Sequence, residues 1–183
     1  MGRKEQILKA AYEIVGRAGI EGLHARTVAA DIGINHAAVH YYFRTRSDLI
    51  AALVDYTLLR FEQDRERLLL KAKTKQERID AIIAQARAYA RPESRFAKNW
   101  ASFFVASIAD PTLKAKLVQG IQEWIEGLSG ELDAVGRRDQ DPILSAEVMA
   151  ATLIGIVVMS HACGEAYPSG KALQKLASKL TAA

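Results

Sequence analysis

The chain has 183 residues, of which 50% are hydrophobic and 25% are charged, and its formal net charge is +4. These values exclude a disordered or fibrous chain and allow either one ordinary globular domain or a small module joined to a larger one. The mildly basic charge permits an acidic partner such as nucleic acid without requiring one.

A single cysteine, Cys163, excludes an internal disulfide and a cysteine-rich zinc site. One thiol suits a reducing compartment, and the N-terminal residues enter an amphipathic pattern in place of an apolar signal core. We therefore expect a cytoplasmic protein.

Apolar residues recur at helical spacing along nearly the whole chain, and no alternation of period two is sustained. This pattern predicts an all-α fold of about nine helices. The first helix is expected over about 3–18, and Gly19 is placed to end it as a C-cap.

Two short helices are predicted next, separated by a tight turn. The first covers about 27–32 and stops at Gly33, and Asn35 is placed to N-cap the second, over about 36–43.

A long fourth helix is predicted from the pair Thr45 and Asp48, whose spacing is that of a capping box. No glycine or proline interrupts residues 47–75, so this helix joins the short helices to the remainder of the chain. We expect two domains, 1–48 with the short helices and 49–183 with the long ones.

The remaining helices are punctuated by proline. One is expected over about 76–91, since Pro92 prevents its continuation. Asp110-Pro111 and Asp141-Pro142 each place an acidic N-cap before a proline at the first helical position, and Tyr167-Pro168-Ser169 marks the start of the last helix.

The short helices carry the residues that a helix-turn-helix needs. Ala29 is small enough for close helix contact, and Gly33 can adopt the positive φ of the turn. Apolar residues that wedge the two helices together follow in order: Val28, Ile32, Ile34 and Val39. This spacing alone leaves an ordinary helical bundle equally open.

The predicted third helix favours DNA binding. Val39 and Phe43 lie four residues apart and are expected to face inward. The outward stripe then consists of His36, Ala37, His40, Tyr41 and Arg44. It contains no acid, and its side chains can donate hydrogen bonds to phosphates or meet base edges in a groove.

These residues resemble the N-terminal domain of the tetracycline-repressor family of bacterial regulators. The resemblance covers about the first fifty-five residues and rests on Ala-Ala after the first Leu, Gly-Ile-Glu-Gly-Leu, Ile-Gly-Ile, Tyr-Tyr-Phe, and a basic residue followed by Asp-Leu. It implies a homodimer whose third helices enter successive major grooves of a palindromic operator.

The resemblance also implies DNA-binding residues. The matched positions are Arg26, Thr27, His36, Ala37, Ala38, His40, Tyr41, Tyr42 and Arg46, the last at a position where the family usually has a phosphate-binding lysine. His40 replaces the family's usual tyrosine and Ala37 replaces glycine or proline. We therefore expect operator preference to depend on His40 in particular.

The C-terminal two thirds carry candidates for an effector site, since the family binds small ligands there. The candidate residues are Tyr89, Phe96, Trp100, Phe103, Phe104 and Trp124. Large apolar walls with a few polar neighbours are typical of a ligand pocket. At helical spacing the same residues also fit a plain hydrophobic core, so both interpretations stay open.

The predicted helix over about 142–164 is apolar on more than one face, which favours burial of one face against a partner subunit. The candidate interface residues are Met149, Leu153, Ile156 and Val157. A central helix of a monomeric bundle is the alternative. The apolar run itself is interrupted and too short to span a bilayer, so no membrane partner is expected.

We interpret the chain as a sequence-specific transcriptional regulator, a repressor released from its operator by an unidentified effector. An activator of the same family is one alternative, and a helical ligand-binding protein or enzyme that does not bind DNA is another. No catalytic motif, metal-ligand set or cofactor-binding loop is found in the sequence, so we expect no enzymatic activity, metal or cofactor.

Overall fold

The computed structural model describes residues 2–134 and 145–181, and all regular structure in these ranges is helical. The helices are α1 (Arg3–Ala18), α2 (Ala25–Asp31), α3 (His36–Tyr42), α4 (Arg46–Leu69), α5 (Lys75–Tyr89), α6 (Arg95–Ser107), α7 (Pro111–Ala134), α8 (Ala146–Cys163) and α9 (Ser169–Thr181). Short 3₁₀ turns cover Ile20–Gly22 and Gly164–Ala166. The all-α prediction is confirmed.

The chain forms two compact units. The first comprises Met1–Arg60 with Lys98–Gln119, and the second comprises Phe61–Ala97 with Gly120–Ala183. The boundary between them falls within α4, α6 and α7. The domain division at residue 48 stays a prediction.

The core of the first unit is built on one face of α1. Ile7 and Ala11 are fully buried on that face, and Val28, Leu49 and Leu53 from the following helices are also buried. Burial of a leucine or isoleucine side chain stabilises a fold by about 1.5–3 kcal/mol, so this small core holds the short helices in place.

Two polar contacts attach the α6 and α7 segments of the first unit to its other helices. The Asn99 side chain is fully buried, and its Nδ2 donates to the backbone oxygen of Tyr12 on α1 at 3.0 Å. Lys116 on α7 donates to the Asp55 carboxylate of α4 at 2.7 Å. The first unit therefore consists of α1, α2, α3 and the first part of α4 with pieces of α6 and α7 packed onto them, rather than an N-terminal segment alone.

Helix ends largely follow the local sequence signals. Asn35 Oδ1 accepts from Ala37 N at 2.9 Å, as expected of an N-cap. The capping box is formed, with Thr45 N donating to Asp48 Oδ2 at 2.9 Å and Asp48 N donating to Thr45 Oγ1 at 3.0 Å. Asp110 caps α7 by accepting from two backbone amides.

Other boundaries differ by a few residues. The second helix begins at Ala25 because His24, in extended backbone, serves as its N-cap residue. Phe43 is extended and ends α3 one residue early, while α5 starts at Lys75 because Thr74 and Glu77 form a capping box absent from the sequence-based expectation. The predicted helix start at Asp141-Pro142 lies outside the described residues, and α8 begins at Ala146 with Ser145 Oγ accepting from Val148 N.

The core of the second unit gathers side chains from α5, α7, α8 and α9. Ile79, Leu128, Met149, Leu153 and Leu173 are each at most 5% exposed and belong to one cluster. Since α8 supplies several of these side chains, it is the central helix of this unit.

By length and apolar composition alone, Ala146–Ala166 is the one described segment that could cross a membrane. It is longer than the interrupted run recognised in the sequence. Its core-facing side chains explain part of this apolar character, yet only 33% of it is buried within the chain. Burial in the core of the second unit therefore does not account for the apolar side chains of this segment that remain exposed.

The capping box of α5 makes a pH-dependent contribution to stability. Backbone N–H groups of Lys73 and Thr74 donate to the Glu77 carboxylate and lower the pKa of Glu77 below its ordinary value. The carboxylate therefore stabilises the fold when the pH is above the ordinary pKa of Glu77, and this stabilisation is lost as the pH falls through the lowered pKa of the folded state.

Glu77→Gln should lower the free energy of unfolding at neutral pH but not at acidic pH, as measured by urea titration. A deficit that does not change with pH would contradict this account, and Asp80→Asn on the exposed side of α5 is the control.

Candidate nucleic-acid interface

The turn between α2 and α3 has the geometry of a helix-turn-helix. Gly33 has a φ of 66°, a left-handed conformation that other residues adopt only with strain. Immediately after it, Ile34 N donates to the Ala29 oxygen at 2.9 Å, and the Ala29 side chain is buried. The small residue and the glycine therefore let the two helices approach closely, as the sequence pattern predicted.

The inner face of α3 fixes the orientation of this helix. Val39 is 1% exposed and Phe43 is 4% exposed, so both anchor the helix in the core of the first unit. The Lys4 ammonium lies 5.9 Å from the centre of the Phe43 ring. Because helical geometry is fixed, burial of these two residues determines which side chains point outward.

The outer face of α3 is exposed, as predicted. His36, Ala37, His40 and Tyr42 are exposed, and Ala38 is half-buried. Tyr41 is 81% exposed, so both its ring and its hydroxyl are accessible to a partner. The rings pair edge to face, His36 with His40 at 6.2 Å and Tyr41 with Tyr42 at 5.1 Å between centres.

The basic residues near α3 differ in their contacts. Arg26 and Thr27, in the first turn of α2, are exposed. Arg46, in contrast, turns its guanidinium toward the connection between α1 and α2, where it donates to the backbone oxygens of Ile20 and Leu23. This contact was not evident from the sequence, since nothing in the local pattern links residue 46 to residues 20–23.

The candidate effector residues divide between the two units. Trp100 and Phe103 are buried in the first unit, and Phe104 packs edge to face on Trp100 with ring centres 5.4 Å apart. Tyr89, Phe96 and Trp124 belong to the second unit. The six residues therefore do not form one continuous group within either unit.

In the second unit the three aromatic residues meet Phe61 of α4. Phe96 stacks on Tyr89 at 4.1 Å and on Phe61 at 5.4 Å, and Trp124 contacts Phe61 edge to face at 5.4 Å. We call Phe61, Tyr89, Phe96 and Trp124 the aromatic cluster. All four are half-buried. The sequence analysis missed Phe61, although a lone phenylalanine in an otherwise charged helical run was the available signal.

Polar groups border the aromatic cluster. The Tyr89 hydroxyl donates to Asp64 Oδ2 at 3.1 Å and accepts from Gln85 Nε2 at 3.4 Å. Gln85 Nε2 also donates to the Phe61 oxygen at 3.0 Å. The Asp64 carboxylate is thus bonded to the hydroxyl of one of the four rings, and its Oδ1 lies 3.5 Å from Arg67 Nη2. Ring faces and a carboxylate are both groups that attract cations.

The candidate dimer residues on α8 require correction. Met149, Leu153 and Ile156 are at most 4% exposed because they form the core of the second unit, and Val157 is half-buried. The first three therefore cannot contact another subunit while this core is intact. The apolar residues exposed on α8 are Val148, Val158 and Met159. The sequence could not distinguish the two faces because the helix is apolar all round.

Comparison with known proteins identifies the N-terminal part. Residues 7–53 match the family model described as "Bacterial regulatory proteins, tetR family". The chain is 24% identical over 156 residues to the HTH-type transcriptional regulator BetI of Vibrio vulnificus, covering 84% of this chain and 78% of that protein.

Solved structures share the fold over nearly the whole chain. A TetR-family transcriptional regulator from Rhodococcus sp. matches with a TM-score of 0.80 and 21% identity, covering 97% of this chain and 96% of that one. A transcriptional regulator from Saccharomonospora viridis, solved in complex with choline, matches with a TM-score of 0.81 and 16% identity, covering 94% and 92%. Residues 7–53, from α1 into α4, thus match the DNA-binding domain of tetR-family regulators, and the all-helical fold of such regulators is shared over nearly the whole chain. Together with the similarity to BetI, this match identifies the chain as a DNA-binding transcriptional regulator.

Proposed function

We propose that the chain is a homodimeric repressor that a small-molecule effector releases from a palindromic operator. The exposed outer face of α3 carries this proposal, because it presents hydrogen-bonding side chains and no acid on a rigidly anchored helix. We also propose that the chain represses transcription in the cytoplasm, as is typical of regulators of this family. A gel shift with the upstream intergenic region, with and without metabolite extracts, tests binding and release together.

The proposed DNA contacts divide into two kinds. Arg26 and Thr27 are placed to bind backbone phosphates from the exposed first turn of α2. The α3 residues His36, His40 and Tyr41 are placed to meet base edges in the major groove, and Ala37 and Ala38 allow a close approach. Tyr42, at the end of the helix and 40% exposed, reaches the flanking backbone.

The exposed apolar side chains of α8 support the homodimer. Val148, Val158 and Met159 are 41%, 39% and 43% exposed, on a helix whose most apolar stretch has a third of its residues buried and the others partly or fully exposed. Several apolar side chains exposed along one helix favour contact with another apolar surface. A second copy that presents the same helix covers this surface symmetrically, and a dimer also matches the two halves of a palindrome.

We further propose that the aromatic cluster receives the effector, and that the effector is an organic cation. Stacked rings beside the Asp64 carboxylate favour a quaternary ammonium group through cation–π attraction and charge. Choline, present in the similar structure from Saccharomonospora viridis, has this chemistry and is the first compound to test.

The position of Phe61 suggests how binding reaches the DNA-binding end. The cluster takes one side chain from each of α4, α5, α6 and α7, and α4 begins at Arg46 beside the α1–α2 connection. A ligand that separates the rings shifts α4. Ligand binding then favours the conformation in which the spacing of the two α3 helices of the dimer no longer matches the operator. This is a population shift, whose extent equals the difference in ligand affinity between the two conformations.

The two kinds of DNA contact predict different responses to substitution. Arg26→Ala should weaken binding to the operator and to altered operators alike, and it should reduce the slope of log K against log salt by about 1.8, since the dimer loses one phosphate contact in each half-site. His40→Ala should leave the salt dependence unchanged but relax preference at one base pair per half-site by about 1–3 kcal/mol. Fluorescence anisotropy at several salt concentrations measures both. Lys175→Ala on α9 is the control for a lost positive charge, and equal salt slopes for Arg26→Ala and wild type would contradict the assignment.

The α8 surface predicts that a charge placed on it separates the subunits. Val158→Glu should yield folded monomers, because an unpaired charge buried in an interface costs about 3–5 kcal/mol. Sedimentation velocity measures the oligomeric state, and circular dichroism checks the fold. Ile108→Glu, at a residue that is 86% exposed outside α8, is the matched control and should remain dimeric. A dimeric Val158→Glu protein would exclude this face as the interface.

The effector proposal predicts choline binding that depends on the cluster. Choline should raise the melting temperature of the wild type, with about 2.7 kcal/mol of stabilisation at one hundred times its Kd. Trp124→Ala and Asp64→Asn should weaken this effect, whereas Tyr41→Ala, an exposed aromatic on α3, should not. Stabilisation that is unchanged in both cluster variants would place the ligand elsewhere.

A further inference from the structure

Arg46 forms a cross-link within the first unit. Its Nε donates to the Leu23 oxygen at 3.0 Å and its Nη2 donates to the Ile20 oxygen at 2.6 Å. The same Nη2 lies 3.8 Å from Glu21 Oε2. The guanidinium therefore holds the first residue of α4 to the 3₁₀ turn that precedes α2.

Both ends of this cross-link are fixed by other contacts. On the α4 side, the capping box of Thr45 and Asp48 holds the backbone on either side of Arg46. On the other side, Ile20 is 8% exposed and Leu23 is fully buried, so their side chains anchor the turn in the core. The backbone oxygens of Ile20 and Leu23 are thus held in fixed positions, and the Arg46 guanidinium donates to both.

The turn leads directly into the proposed DNA contacts of α2. Leu23 is followed by His24, the N-cap residue, and Arg26 and Thr27 lie in the first helical turn. The Leu23 oxygen is therefore only three residues from Arg26. A shift of this carbonyl moves the start of α2 and the side chains that it presents.

Arginine suits this role and lysine does not. The guanidinium presents several N–H groups in a rigid plane, and here two of its nitrogens reach two carbonyls three residues apart. A lysine ammonium is a single point of charge that can bind phosphate but cannot reproduce this pair of contacts.

We propose that Arg46 is a positioning residue for operator binding. It holds the start of α2, with Arg26 and Thr27, in the orientation that DNA requires, and it acts through the Ile20 and Leu23 carbonyls instead of through a phosphate. This inference rests on the proposed DNA contacts of Arg26 and Thr27.

Arg46→Lys is the decisive variant because it keeps the charge and removes the paired hydrogen bonds. It should bind operator about tenfold more weakly than wild type, with a smaller salt slope, because a displaced Arg26 loses its phosphate contact. Arg46→Gln should bind no more strongly than Arg46→Lys. A direct phosphate contact predicts a different result, in which Arg46→Lys binds with the affinity and salt slope of wild type, and Arg46→Gln reduces the slope by about 1.8 because two contacts are lost per dimer. That result overturns the proposal.

Hydrogen exchange without DNA provides a second readout that does not depend on the DNA contacts. The amides of Leu23 and Val28, which donate to Ile20 and His24, should exchange faster in Arg46→Lys than in wild type, while α5 amides stay unchanged. Unchanged exchange at Leu23 and Val28 overturns the positioning role. Faster exchange together with an unaltered salt slope in Arg26→Ala supports the cross-link and contradicts the proposed phosphate contact of Arg26. The two proposals thus fail separately.

Discussion

The left-handed turn at Gly33 is the constraint on which the DNA-binding surface depends. It brings Ile34 N to the Ala29 oxygen at 2.9 Å, and this junction sets the angle at which α3 leaves α2. Val39 and Phe43 then lock the rotation of α3 about its own axis by their burial. A base-reading helix needs both, since a small rotation would replace His40 and Tyr41 by side chains of another face. The outer face can therefore vary in sequence without loss of the fold.

A second feature of the chain is that its second unit exposes apolar surface in two different ways. The aromatic cluster is half-buried and bordered by a carboxylate, which suits a small ligand that replaces contacts between the rings. The exposed side of α8 is long, aliphatic and rich in small residues, which suits a flat contact with an identical helix. The two surfaces differ in shape and polarity, so the proposed effector and the proposed partner subunit would not compete for one surface.

How far the sequence could predict this protein depends on the range of the interactions involved. The Asn35 cap, the Thr45 and Asp48 box and the Gly33 turn join residues a few positions apart, so the local pattern was sufficient. The contact of Arg46 with Ile20 and Leu23 spans more than twenty residues, and no periodicity encodes it. On α8 every face is apolar, so only tertiary packing distinguishes the buried Met149 from the exposed Met159.

Methylation interference on the operator tests the central claim most directly, because guanine N7 lies in the major groove, where α3 is proposed to read sequence. The account predicts that methylated guanines prevent binding at two symmetric half-sites in successive major grooves of the same face of the duplex. Interference that is absent from the major groove, or restricted to adenine N3 in the minor groove, would contradict it.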